Sequence, residues 1–254
     1  MLDKENLEQF WFQIEPLNKE EIIPFVMKEN LVQEETFQLF SMIQRKLYEI
    51  HGETTTLEDY GHFILKIVDT YRLNASASEE PNSLLHFANV MLYNLSADMA
   101  ECWADENFSK TNGCFEIGLQ AAMDCLKLRQ RLQKDNASFS MAYWALGMHQ
   151  LSLHHNRESL ESFKKAFTFS VNSSDSTTAF DLTNESSFTD ILCAGYMGIA
   201  SVVNEIPEGE KIYDFAITLF EQQIKEDEEK KGDAAFGINQ LAFVKNKFIN
   251  FSSN

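Results

Sequence analysis

Glycine and proline are scarce in this chain, ten Gly and four Pro in 254 residues, roughly half the usual share. These residues punctuate a backbone more strongly than any others. A chain poor in both is therefore built from long uninterrupted elements. Their type follows from 25 Leu against 8 Val, because leucine keeps its rotamer freedom in a helix while β-branched valine suits a strand. Apolar residues recur at helical spacing and strand patterns are nearly absent, which predicts an all-α fold.

Helices are expected over 18–29 and 32–51, the latter with an apolar stripe through Phe37, Phe40, Ile43 and Leu47. Pro24 is expected to kink the first of these or delay its start. Thr55 or Thr56 caps a helix to about Leu73, and Asn74–Glu80 reads as a polar loop. Pro81 opens a helix through about Trp103. Residues 104–113 form a polar loop before a helix from Cys114 to about Gln133. The cations Lys127, Arg129 and Arg131 complement the dipole of its last turns. Further helices follow at about 137–153, 157–171, 187–204, 208–228 and 233–250. The Ser-, Thr- and Asn-rich tract 172–186 separates the second and third of these.

The charge balance, 21 basic against 39 acidic residues for a net −18, disfavours nucleic acid as a partner, since binding there rests on neutralising phosphates. The opening MLDKENLEQFWFQ lacks a basic stretch followed by an apolar run, and no window approaches 18 apolar residues, so neither export nor a membrane partner is expected. Four cysteines without a Cys-x-x-Cys pair read as buried thiols. The expected location is cytoplasmic.

Signatures of chemistry are few. Asp59 and His62 share a helix face, yet no Glu-x-x-His element accompanies them, so they read as a surface pair. His149, His154 and His155 gather near a helix end without a spaced carboxylate or thiolate to complete a metal site. No phosphate-cradling glycine loop and no nucleophile elbow are present. Neither a catalytic residue, a metal nor a cofactor is expected.

Internal similarity carries more information. Tyr143-Trp144-Ala145-Leu146-Gly147 is followed, one helix later, by Ser159, Phe163 and Ala166. This pattern resembles a tetratricopeptide repeat, with Gln150 where that family favours an aromatic and Ser159 where it favours alanine. A second candidate unit runs from Gly195-Tyr196-Met197-Gly198 to Ala216-Ile217-Thr218-Leu219-Phe220-Glu221, and Ala121-Ala122, Cys125 and Leu128 echo it faintly. The resemblance covers about residues 82–250. It implies antiparallel helical hairpins stacked as a right-handed superhelix over 81–254, with 1–80 as an N-terminal helical portion packed on the stack. It also implies that Gly147 and Ala166 are close-approach points, with Phe163 filling the space between helices, and that 233–250 caps the stack.

In such a stack the first helix of each pair lines the concave face. On the resemblance, Met141, Trp144, Met148 and Leu151 would face the groove in one unit, and Leu192, Gly195, Ile199 and Val202 in the next. An apolar face of that extent needs a cover, for which the N-terminal helices, a neighbouring subunit and a bound ligand or partner segment are the candidates. The expected function is non-enzymatic: an interaction module binding a protein or peptide segment there, with self-association as another way to cover it. The alternative is a small-ligand binder or enzyme with an internal apolar cavity lined by Trp144, Met148, Tyr196 and Met197, with His149 as a polar contact.

Overall fold

The computed structural model describes residues 1–51, 57–103, 110–172 and 178–249. Among them are eleven α-helices and no strand: α1 (Lys4–Ile14), α2 (Lys19–Lys28), α3 (Gln33–His51), α4 (Leu57–Ala77), α5 (Pro81–Met99), α6 (Asn112–Arg131), α7 (Asn136–Ser152), α8 (Asn156–Ser170), α9 (Phe188–Val203), α10 (Gly209–Glu226) and α11 (Lys231–Phe248). Local chemistry sets the starts. Side chains of Asp3, Thr111, Asp135 and Ser187 each accept a first-turn N–H, and Pro81 occupies the first turn of α5, where its missing donor costs nothing. Three readings change. The acidic start forms a helix of its own, α2 continues through Pro24, and α4 runs on to Ala77 across half of the expected polar loop. Thr55, Thr56, most of the loop 104–113 and residues 173–177 of the tract 172–186 lie outside the described residues.

Three connections are built alike, which explains how so few glycines suffice. Gln133, His154 and Glu205 each adopt the left-handed conformation, at φ 51°, 60° and 58°. The N–H of the next residue then reaches back five positions: Lys134 to the Arg129 carbonyl, His155 to Gln150, and Ile206 to Ser201. This closes the orphan carbonyls of α6, α7 and α9 with residues other than glycine.

Contacts along the chain define the arrangement. Tyr60 bonds Asp98 while Tyr71 meets Phe87, so α4 and α5 are antiparallel. Asn89 bonds Cys125 and Ser96 bonds Gly118, so α5 and α6 are too. In α7 and α8, Ser140 bonds the Ala166 carbonyl and Ser159 the Gly147 carbonyl. Helices two apart run parallel: Phe37 stacks on Phe87 and Gln44 bonds Met91, while Ser140 meets Cys193 and Trp144 meets Tyr196. Likewise a Cβ on Gly237 would touch Phe188, and one on Gly195 would touch Leu241. From α3 onward, odd helices therefore form one layer and even helices the other, with each helix packed on its sequence neighbours. The alternation begins within residues 1–80.

Two apolar clusters fill the space between layers. The first runs from Ile14 through Tyr60, Ile64 and Met91 to Leu128 and Ala142. The second gathers Trp144, Phe163, Ile191, Tyr196, Phe220 and Leu241. Within the second, the Phe163 ring lies over Gly147, where a Cβ would come within 2.8 Å of it. The Gln150 and Ser159 positions are accommodated by hydrogen bonds, Ser162 Oγ donating to Gln150 Oε1 and Ser159 Oγ to the Gly147 carbonyl.

Candidate functional site

An apolar groove of about 210 Å³ is lined by side chains of α5, α7, α9 and α11. The hairpin partners in the even layer hold each wall. Tyr93 comes from α5, Ser140, Met141 and Trp144 from α7, and Phe188, Thr189, Leu192 and Cys193 from α9. Phe236 and Gln240 come from α11, and Trp103 follows α5. Spacings of three and four residues along each helix place these side chains on one face. Groove-lining Trp144 is backed by the core, where it meets Tyr196 edge-on at 6.0 Å and Tyr196 lies over Phe163 at 5.3 Å. Phe236 lies between Trp103 and Phe188, at 6.0 and 6.3 Å. Trp103 is tied down by its indole N–H, which donates to the Ala97 carbonyl.

The groove exposes apolar surface that a closed fold would bury. Met141 is 39% and Phe236 47% exposed. Its polar groups are held in their neutral forms. Burial pushes the Cys193 thiol up to about 11 and the Tyr93 phenol up to about 12, so both keep their protons at neutral pH. Arg129 stands in the last turn of α6, where its charge complements the dipole, and is buried with its guanidinium 4.9 Å from the Tyr93 ring centre. The Tyr196 hydroxyl and the Trp144 N–H approach each other without reaching hydrogen-bond geometry.

Of the residues expected on the groove, Met141, Trp144 and Leu192 come together there. Met148, Leu151 and Ile199 are buried in the second core cluster, because helices apolar on every side turn only part of their surface outward. Leu151 also lines a separate cavity of about 320 Å³ with Lys110, Ser152 and the Glu101–Lys247 ion pair. Val202 packs against α10, where a Cβ on Gly209 would meet its backbone nitrogen, and Gly195 packs against Leu241. The residues missed by sequence reasoning are Tyr93, Trp103, Ser140, Phe188, Thr189, Cys193, Phe236 and Gln240. A signal for two of them existed: Phe236 and Gln240 stand four apart on the same face of α11, a helix read only as a cap.

His149 stands apart from the exposed His154 and His155. It is buried between α5 and α6, with Nε2 2.9 Å from the Ser96 carbonyl and 3.1 Å from Ser96 Oγ. Ser96 Oγ in turn donates to the Gly118 carbonyl. Since a carbonyl can only accept, Nε2 carries the proton and Nδ1 is bare, without a partner. Burial pulls its pKa down to about 4. Among the described residues no three His, Cys, Asp or Glu side chains gather as a metal-binding group, and no helix is long and apolar enough to cross a membrane. No known protein family, curated protein or solved structure matches the chain.

Proposed function

We propose that the protein is a non-enzymatic interaction module, a tetratricopeptide-like right-handed stack of helical hairpins that binds a segment of a partner protein in this groove. The observation that carries the reading is the half-open surface of Met141 and Phe236 in a groove lined by Tyr93, Trp103, Trp144 and Phe188. Monomeric proteins rarely leave such a concave apolar face uncovered unless it is used. Methionine at the rim suits a binding surface because its side chain adapts to the shape it meets. The net charge of −18 favours a basic partner and a salt-sensitive association. The reading includes a cytoplasmic setting, in keeping with the buried thiols of Cys114, Cys125 and Cys193.

The test is affinity capture from source cells with the wild type and with Met141→Asp/Phe236→Asp. Both positions are exposed, so the variant keeps its fold, which circular dichroism and thermal melting verify. Partners recovered by the wild type and lost by the variant are the expected result. Recovery of the same partners by both overturns the reading.

A further inference from the structure

Gln240 does not fit a purely apolar groove. Its side chain is 4% exposed, it lines the groove four residues after Phe236, and its Oε1 has no hydrogen-bond partner. Buried polar groups in folded proteins are almost always paired, and one left unpaired costs stability that an apolar residue of the same size would not. A carboxamide presents a donor and an acceptor on one planar group. That is the complement of the C=O and N–H of a peptide unit.

We propose that the groove takes an extended segment of a partner protein and that Gln240, whose Oε1 is sealed from solvent in the free chain, turns its carboxamide outward to pair with one backbone amide of that segment. The proposal rests on the reading of the groove as a protein-binding site and adds the conformation and charge of what binds. A helical segment satisfies its own backbone groups and has none to offer Gln240. An extended one leaves them free and turns alternate side chains to the same side, where Trp144, Leu192 and Phe236 receive apolar groups. Carboxylates mark one end of the groove. Asp233 is exposed one turn before Phe236 on α11. Asp190 follows groove-lining Thr189 on α9; its Oδ2 accepts the Ser187 N–H in the helix cap and its Oδ1 is sealed from solvent, so it adds negative field at that end rather than a direct contact. Because α9 and α11 run parallel, both acids stand at their N-terminal ends. The segment therefore carries Lys or Arg where it passes that end.

Random linear dodecapeptides displayed on phage and selected on the full chain supply the probe. Recovered sequences are synthesised and titrated by fluorescence polarisation. The expected peptides combine apolar residues with a basic flank and bind Gln240→Leu about tenfold more weakly than wild type. Methylating one particular backbone nitrogen of the peptide weakens wild-type binding by about tenfold and Gln240→Leu binding by less than about twofold. The free Gln240→Leu chain melts at a higher temperature than wild type, whereas a merely structural glutamine would lower it on removal. Peptides that lose binding to Met141→Asp/Phe236→Asp yet ignore Gln240→Leu and N-methylation overturn the extended-backbone proposal and leave the groove reading standing. Peptides indifferent to Met141→Asp/Phe236→Asp, or no recovered peptide, overturn both. A dimer in sedimentation that this double variant dissolves assigns the groove to a second copy and also overturns the proposal.

Discussion

Acid should weaken this fold through His149. The imidazole is fully buried at the junction of α5, α6 and α7, donates from Nε2 to the Ser96 carbonyl, and has a bare Nδ1 facing no acceptor. Protonation would place a second N–H and a charge where neither is satisfied, so the pKa falls from the ordinary 6.5 to about 4. The nearby Lys110 ammonium adds to the effect. The unfolded chain binds this proton as pH falls through 6.5, whereas the folded chain resists until about 4. Stability from this group is therefore complete above pH 6.5, declines through the window and levels off below it. The full loss is about 3 kcal/mol, of which about 2 kcal/mol is gone by pH 5. Acidic side chains titrate in the same range, so the measurement is a difference. Urea unfolding of wild type and of His149→Gln, whose amide can still donate to Ser96, is followed from pH 7.5 to 5. The wild type should lose its advantage by about 2 kcal/mol across that range. A pH-independent difference refutes the reasoning, as does an imidazole NMR titration that places His149 near 6.5 in the folded protein.

Two glycines on helices should respond to alanine with opposite signs. Gly147→Ala drives a methyl into the Phe163 ring, fixed between Gly147 and Tyr196, and should cost about 1–3 kcal/mol in chemical denaturation. Gly232→Ala, with open space around it in the first turn of α11, should gain about 0.5–1 kcal/mol through helix propensity alone. At the turn after α9, Glu205→Gly relieves a left-handed backbone and should raise stability by about 0.5–1 kcal/mol, visible as a higher melting temperature.

Much of the layered arrangement was legible because helices announce themselves through spacing and caps. From Asn136 to Glu226 the expected ends fall within one or two residues of those observed. The contact of Phe163 with Gly147 was readable too, since a helical glycine opposite an aromatic is a packing statement. Depth within the stack was not readable. Met141 and Met148 lie on the same helix with the same chemistry, yet one reaches solvent and the other is sealed. The difference depends on how neighbouring helices pack around α7, which no local pattern encodes. Gln240 escaped notice for a related reason: a lone glutamine on an amphipathic helix reads as solvent-facing until its neighbours are known. Arg129 was legible as a last-turn cation of α6, but its burial against Tyr93 was not.

The packing of each helix on those beside it in sequence also bears on how the protein assembles. Few contacts require distant parts of the chain to find one another, so the entropy lost in closing large loops is small and folding should be rapid for a chain of this length. The most extensive contact is between α7 and α8, near the middle, from which structure can grow toward either end. Opening would run in reverse: amides of α1, α2 and the end of α11 should exchange with solvent well before those of α7 and α8. Phe236 and Gln240 lie before and at the middle of α11, so only an opening that spread through the whole helix would unmake that wall of the groove while the centre of the stack stays folded. A segment bound across that wall would slow this opening, and occupancy would then be readable as protection of α11.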